Sequence, residues 1–329
     1  MSGSDETLRT AAAALLAARF VAVCSHVDPD GDAVGSTLAA MHALDAVGVR
    51  CVPLCAQDSQ VPTTYAFLPG SERYASVESL TDTPDTILAL DSPHPSRLGA
   101  AEPLLGSASS VIVMDHHPDN TRYGTLNIVD ETAPSTASVL LELLAHLKVS
   151  LDPVIAACAY TALMTDTGRF SYSNATPAAF RTAARLIDAG ADPAALYRAV
   201  YEHRSLASLE LQARVMSRLT LANAGVVAYS WIADDDFAET GALPEETENL
   251  IDEIRTLAGV EVVALLKVHD GYVKGSLRAK EDADVGTVAR SLGGGGHRAA
   301  AGFTAEGDLG HVLSRLLPLL PAGEPGDDR

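Results

Sequence analysis

Phe20-Val21-Ala22-Val23-Cys24-Ser25-His26-Val27-Asp28-Pro29-Asp30-Gly31-Asp32 is the stretch on which the fold turns. Its first five residues form a short apolar run, the pattern of a parallel strand buried on both faces. The run stops at a loop led by histidine and crowded with aspartate. Residues 33–47 then read as a helix ended by Gly48. The pattern recurs: 50–54 predicts a second strand, 86–90 a third ending on Asp91, and 110–114 a fourth ending on Asp115. Helices are expected over 136–147 and 153–165. Another runs ahead of the first strand, from Ser4 as its cap through an Ala-rich stretch to Arg19.

Strands alternating with helices argue for a parallel sheet covered by helices on both faces. In such sheets ligands bind beyond the carboxyl ends of the strands. The second half reads differently. Gly190, Asp192 and Pro193 mark a break, and a long helix over 205–221 is expected to carry the connection. A strand over 225–232, a helix over 245–257 and a hairpin of 260–268 with 272–278, turned by Asp270-Gly271, follow. A short helix over 284–292 leads into Gly293-Gly294-Gly295-Gly296-His297-Arg298. The expectation is an α/β protein. A parallel-sheet N-terminal domain with helices on both faces spans 1–190, and a helical linker 191–222. A smaller α/β C-terminal domain with a mixed sheet spans 223–322, and a disordered tail 323–329.

The polar residues collect where that fold would put a ligand. His26, Asp30 and Asp32 follow the first strand, Asp91 the third, and Asp115-His116-His117 the fourth. Asp166 closes a helix in Thr165-Asp166-Thr167-Gly168. Carboxylate oxygens with imidazole nitrogens suit a borderline divalent ion such as manganese. There are enough of them for two ions sharing a bridging carboxylate, an arrangement that hydrolyses phosphate esters. A calcium loop is the rival for Asp28, Asp30 and Asp32, at its positions one, three and five. That loop needs Gly at six and an acidic ligand at twelve, where this chain has Ala33 and Ala39. The expected enzyme is a two-metal phosphoesterase.

These motifs, in this order, resemble the DHH phosphoesterase superfamily, named for the triplet at 115–117. More narrowly they resemble the two-domain NrnA-like oligoribonucleases, bifunctional with 3′-phosphoadenosine-5′-phosphate phosphatase activity. The first motif is His26 to Asp32, the second Ala89-Leu90-Asp91, the third the triplet and the fourth Thr165 to Gly168. Gly293 to His297 matches the glycine-rich signature of the DHH-associated C-terminal domain, and Ser276-Leu277-Arg278 matches its preceding strand. The resemblance covers nearly the whole chain. It implies one metal on His26, Asp30 and Asp91, and a second on Asp32, Asp91, His116 and Asp166, with Asp91 bridging. Manganese is the expected ion, with magnesium and cobalt as alternatives. His117 would touch the phosphate or protonate the leaving oxygen, and Asp115 would orient an imidazole. Asp91, Asp115 and His117 are thus the expected catalytic set.

Glycines let backbone N–H groups approach an anion closely, and arginines offer forked contacts to phosphate. Gly295, Gly296 and His297, with Arg278 and Arg298, are therefore the expected substrate-binding residues. The resemblance implies hydrolysis of very short RNA and of dinucleotides such as pApA to mononucleotides, and of the nucleoside bisphosphate 3′-phosphoadenosine-5′-phosphate to AMP. Cyclic diadenylate is a further candidate. A clamp between the two domains would measure substrate length. Secondary candidates are Arg97 after Asp91, Ser135-Thr136 capping a helix beside the metals, and Tyr172, Asn174 and His203 near the expected cleft. A manganese inorganic pyrophosphatase on the same scaffold is an alternative, although that class carries a Lys/Arg-rich closing domain. A noncatalytic nucleotide-binding sensor is another.

Bulk composition narrows the partners. The 329 residues carry 23 Lys+Arg against 43 Asp+Glu, a formal charge of −20. So acidic a chain is a poor nonspecific binder of long duplex nucleic acid, which demands phosphate neutralisation. Aromatics are 5 %, which leaves few bases a stacking partner and argues for weak base selectivity. Cys24, Cys51, Cys55 and Cys158 read as free thiols. Residues 11–18 are apolar but too short to span a bilayer and follow no basic segment. The expected setting is cytoplasmic, away from membranes, and a homodimer is compatible with the sequence.

Overall fold

The structure, a computed structural model, describes residues 5–57, 61–247, 250–280 and 283–323. Ser4, expected to cap the first helix, and the expected tail beyond Gly323 lie outside the described residues. The chain divides between His203 and Arg204 into two compact units.

The first unit runs α1 (Asp5–Ala17), β1 (Val21–Cys24), α2 (Gly31–Ala46), β2 (Cys51–Leu54), β3 (Thr86–Leu90), β4 (Ser110–Asp115), β5 (Leu126–Val129), α3 (Thr136–His146), α4 (Pro153–Asp166), α5 (Pro177–Asp188) and α6 (Pro193–Tyr201). Its five strands are all parallel, in the order β2-β1-β3-β4-β5. Val21, Val23, Leu88, Leu90, Ile112 and Met114 share a core with α1 to α4. The alternate residues Ala22, Cys24, Ile87, Ala89, Val111 and Val113 pack with Leu98 and Ala101 of the 3₁₀ segment Pro95–Gly106. Burial on both faces is why these strands read as unbroken apolar runs.

α2 starts at Gly31, two residues before the sequence expectation. Asp30 is its N-cap, with Oδ1 accepting the N–H groups of Asp32 and Ala33 at 3.0 Å each. A Cβ at Gly31 would lie 2.3 Å from Thr165 Oγ1, and one at Gly35 2.5 Å from Cys158 O. Glycine thus lets α2 press against α4. β5 and α5 were not expected. β5 is short, and its Asn127 bonds back to Gly124 rather than showing a strand-like alternation. α5 buries Ala179, Ala183 and Leu186 along one face, a helix-period pattern that the sequence reading missed.

The second unit runs α7 (Leu206–Ser217), β6 (Thr220–Ala222), β7 (Val227–Ala233), α8 (Asp234–Thr240), α9 (Leu250–Arg255), β8 (Val262–His269), β9 (Tyr272–Ala279), α10 (Val285–Ser291), β10 (Gly295–Gly296), β11 (Ala300–Glu306) and α11 (Leu309–Leu316). The strand order is β10-β11-β9-β8-β7-β6, mixed because only β7 and β8 run parallel. The Asp270-Gly271 turn joins His269 to Tyr272 in register, with Gly271 at φ 81°. α10 and α11 pack on one face of the sheet, α7 and α9 on the other.

The expected helix over 205–221 is shorter. It ends at Ser217, and 220–222 form β6 against β7. Leu211 and Val215 of α7 share a core with Ala228 and Ile232. The expected helix over 245–257 is a 3₁₀ turn, Pro244–Thr247, followed by α9, with 248–249 outside the described residues. α8 and α11 were not expected, although Asp308 capping Leu309, Val312, Leu313 and Leu316 is a legible helix signal. Among the described residues no helix is long and apolar enough to cross a membrane.

Candidate metal centre and active site

The order β2-β1-β3-β4-β5 reverses direction between β1 and β3, which opens a crevice at the carboxyl edge. The polar residues singled out in the first half of the sequence converge there. Asp28 and Asp91 take left-handed backbone, φ 52° and 55°, which aspartate tolerates better than most residues. Asp91 N still donates to Met114 O at 3.1 Å, so the side chain is launched directly from the sheet.

One group gathers round His26. Its Nε2 lies 3.5 Å from Asp91 Oδ2 and 3.8 Å from Asp30 Oδ1. Its Nδ1 lies 2.8 Å from Val27 O, an acceptor that can fix the ring while Nε2 faces the carboxylates. A second group gathers round His116. Its Nδ1 faces Ala133 O at 3.2 Å. Its Nε2 lies 3.7 Å from Asp32 Oδ2, 3.7 Å from Asp91 Oδ1 and 3.6 Å from Asp166 Oδ2. Asp91 therefore presents one oxygen to each histidine.

The start of α3 completes the floor. Thr136 N and Ala137 N donate to Asp32 at 2.6 and 3.2 Å, and Thr136 Oγ1 donates to Asp91 Oδ1 at 2.8 Å. Ser36 Oγ adds a bond to Asp32 at 2.9 Å. Ser135 caps α3 through Ser138 N. The sequence marked Ser135-Thr136 only as a cap, and Thr136 turns out to hold two of the carboxylates.

Asp32, Asp91 and His116 are 1, 2 and 3 % exposed. Burial opposes a charge on His26, but the Asp30 and Asp91 carboxylates outweigh it and raise the imidazole to about 10. Burial likewise opposes charge on Asp91, and His26, His117 and His116 overcome it, holding the carboxyl well below the usual range. Asp32 goes the other way: burial first, then the charges of Asp91 and Asp166, push it well above that range. Among the described residues the ion-pair partners of Asp32 and Asp91 are histidines, with no lysine or arginine. Buried carboxylates in such surplus are costly unless a cation joins them. His26 with Asp30 and Asp91, and Asp32 with Asp91 and His116, each offer donor atoms within 4.8 Å of one another. Oxygen and imidazole donors so placed fit divalent cations.

His117 shares Asp91 with these groups, its Nδ1 3.5 Å from Asp91 Oδ1, but is held more closely by Asp115. Its Nδ1 lies 2.8 Å from Asp115 Oδ1, which also accepts the N–H groups of His116 and His117 at 2.7 and 3.1 Å. Burial opposes its charge, but Asp115 raises the imidazole to about 10. Asn120 Nδ2 donates to Asp115 Oδ2 at 2.7 Å. Sequence reading missed Asn120, since nothing in Pro118-Asp119-Asn120 distinguishes it from an ordinary turn. Arg97 Nη2 lies 3.1 Å from His26 Nδ1, which brings the loop after Asp91 to the site. Tyr172 lies over Gly168, where a Cβ would come within 2.3 Å of its ring. His203 is exposed.

Within the second unit the glycine run is β10, paired with β11. A Cβ at Gly294 would lie 2.0 Å from Gly302 O, and Gly296 has φ 130° with a Cβ position 2.7 Å from Ala300 O. Close strand contact thus demands glycine here. His297 N donates to Ala300 O at 2.8 Å, and Arg298 O accepts Val285 N at 2.9 Å. Arg278 stands on β9 between Val263 and Ala300. Its Nη1 donates to Leu277 O at 3.1 Å, and its buried Nε has no hydrogen-bond partner among the described residues.

Comparison with known proteins identifies both halves of the chain. Residues 20–163 match the DHH family N-terminal domain, and residues 224–317 match the DHHA1 domain. The chain is 33 % identical over 296 residues to the bifunctional oligoribonuclease and PAP phosphatase NrnA of Thermus thermophilus, covering 90 % of this chain and 87 % of that protein. It is 26 % identical to a probable NrnA of Streptococcus mutans, covering 89 and 92 % of the two chains. The crystal structure of an exopolyphosphatase-related protein from Bacteroides fragilis superposes with a TM-score of 0.84 at 22 % identity, covering 95 % of this chain and 94 % of that one. That last likeness is one of fold. The chain belongs to the DHH family of phosphoesterases, with the NrnA-like pairing of a DHH domain and a DHHA1 domain.

Proposed function

We propose that the chain hydrolyses very short RNA and dinucleotides such as pApA to mononucleotides, and 3′-phosphoadenosine-5′-phosphate to AMP. The observation that carries the reading is Asp91, with one carboxylate oxygen toward His26 and the other toward His116. A carboxylate so turned suits a bridge between two cations. One would sit on His26, Asp30 and Asp91, the other on Asp32, Asp91, His116 and Asp166, with manganese the first choice and magnesium or cobalt the alternatives. Such a pair supplies Lewis-acid polarisation of the phosphoryl group and makes water a nucleophile near neutral pH.

The chain's own residues do the rest. His117, raised by Asp115, carries the proton that the leaving oxygen takes as the P–O bond breaks. Asn120 and the two backbone N–H groups on Asp115 keep that carboxylate turned to the imidazole. Thr136 and Ala137 hold Asp32 and Asp91 in place. In the DHHA1 domain Arg278, Gly295, Gly296, His297 and Arg298 are the proposed contacts to the substrate's far phosphate, which favours short substrates. The proposed setting is cytoplasmic, and sedimentation of the purified chain tests the proposed homodimer.

A panel of two- to ten-nucleotide RNAs, cyclic diadenylate, 3′-phosphoadenosine-5′-phosphate and pyrophosphate, with manganese and magnesium compared, tests the reading. Turnover of pApA and the bisphosphate, falling with RNA length, is expected. Stoichiometric binding without turnover would make the chain a nucleotide sensor, and turnover of pyrophosphate alone would make it a pyrophosphatase.

A further inference from the structure

Asp166 reaches the cluster from the end of α4 rather than from a strand. The chain beyond it reverses through three successive left-handed residues: Gly168 at φ 55°, Arg169 at 62° and Phe170 at 62°. Arginine and phenylalanine pay a steric penalty there, which persists only where the surroundings over-determine it. The surroundings do so. Phe170 packs between Tyr160 and Phe180, ring centroids 6.0 and 5.3 Å away, and the Arg169 guanidinium lies over Tyr201 at 5.1 Å.

The reversal returns Asn174 to the site. Its Nδ2 donates to Asp166 O at 3.1 Å and to Pro134 O at 3.1 Å, and lies 3.4 Å from Asp166 Oδ2. Its Oδ1 is buried with no hydrogen-bond partner among the described residues, so the side chain holds its neighbours through the nitrogen alone. Pro134 follows Ala133, whose carbonyl faces His116 Nδ1. One amide nitrogen therefore ties the segment carrying Asp166 to the segment that orients His116, and the two side chains meet at 3.6 Å.

We propose that Asn174 is a positioning residue for the metal centre, and that the strained turn at 168–170 exists to deliver it. The proposal rests on the reading of His116 and Asp166 as ligands of one cation. Loss of the donor would let the two segments drift apart and weaken that cation's site while the rest of the unit stays folded.

The test titrates Mn²⁺ by calorimetry into the full chain, Asn174→Ala and Asn174→Leu, each checked for folding by circular dichroism. Leucine fills the volume of asparagine but donates nothing. Both variants are expected to lose about 10- to 100-fold in Mn²⁺ affinity, the usual cost of removing an outer partner of a metal ligand. Wild-type affinity in Asn174→Leu would reduce Asn174 to a space-filler and overturn the proposal.

A second pair keeps the question open to test should Asn174→Ala not fold. Glycine accepts φ 62° and valine does not. Arg169→Gly should keep wild-type affinity, and Arg169→Val should weaken it as Asn174→Ala does. Equal affinity in the two would show that the turn's conformation plays no part. Failure of the wild-type chain to take up Mn²⁺ at all would sink the ligand reading itself, a different outcome from variants that bind as well as wild type.

Discussion

The two sheets of this chain bury carboxylates on opposite terms. In the second unit Asp236 is buried against the guanidinium groups of Arg218 and Arg214, and its carboxyl is held below the usual range chiefly by Arg218. That carboxylate has its own cations. In the first unit Asp32, Asp91 and Asp115 are as deeply buried, yet among the described residues their ion-pair partners are imidazoles. The first arrangement is complete as protein. The second leaves more carboxylates than imidazoles, a surplus that the proposed cations would balance. Burial alone does not suggest a metal site; a surplus of buried carboxylates over the imidazoles that face them does.

Breaking the second arrangement should cost most. Asp91→Ala removes the carboxylate shared by both groups. Turnover should fall by more than about 10⁴-fold, beyond what one general acid supplies, with the circular dichroism spectrum unchanged. Near-normal activity would contradict a bridging role. His117→Ala should lower kcat by about 10²- to 10⁴-fold while Mn²⁺ affinity by calorimetry stays at wild type. Thr136→Val removes one hydrogen bond to Asp91 and should cost about 10- to 100-fold in Mn²⁺ affinity.

Effects on turnover should be smaller in the second unit. Arg298→Ala should raise KM by about tenfold, the scale of one charge-assisted hydrogen bond, and leave kcat and bound manganese alone. Loss of manganese would break the proposed division of labour. Asp236→Asn should leave neutral-pH turnover intact and lower stability by about 1.5–3 kcal/mol. Because the folded carboxyl sits below its unfolded value near 3.9, its contribution is whole above that pH. It disappears as pH falls through the folded value. The wild-type margin over Asp236→Asn in urea unfolding should therefore shrink below about pH 4.

The sequence carried the first unit well because buried parallel strands announce themselves. The runs before His26, Asp91 and Asp115 are uninterrupted, and each ends on a residue that strand-end logic already marks as a ligand position. β5 escaped because it is four residues long and half-buried, whereas α5, with Pro177 at its first turn and Ala179, Ala183 and Leu186 along one face, carried a helix signal that the sequence reading missed. The supporting contacts escaped for a different reason. Asn120, Thr136 and Asn174 act through hydrogen bonds spanning 5, 45 and 40 positions, which no local pattern encodes. The glycine run is legible in the sequence, but the close approach of β10 to β11, which by itself demands glycine there, is not.

A crystal of the chain grown with manganese, with data collected to give an anomalous difference map, tests the central claim most directly. The account predicts two peaks about 3.5–4 Å apart, with Asp91 between them, His26 and Asp30 on one, and Asp32, His116 and Asp166 on the other. A single peak, or none within reach of Asp91, would contradict it.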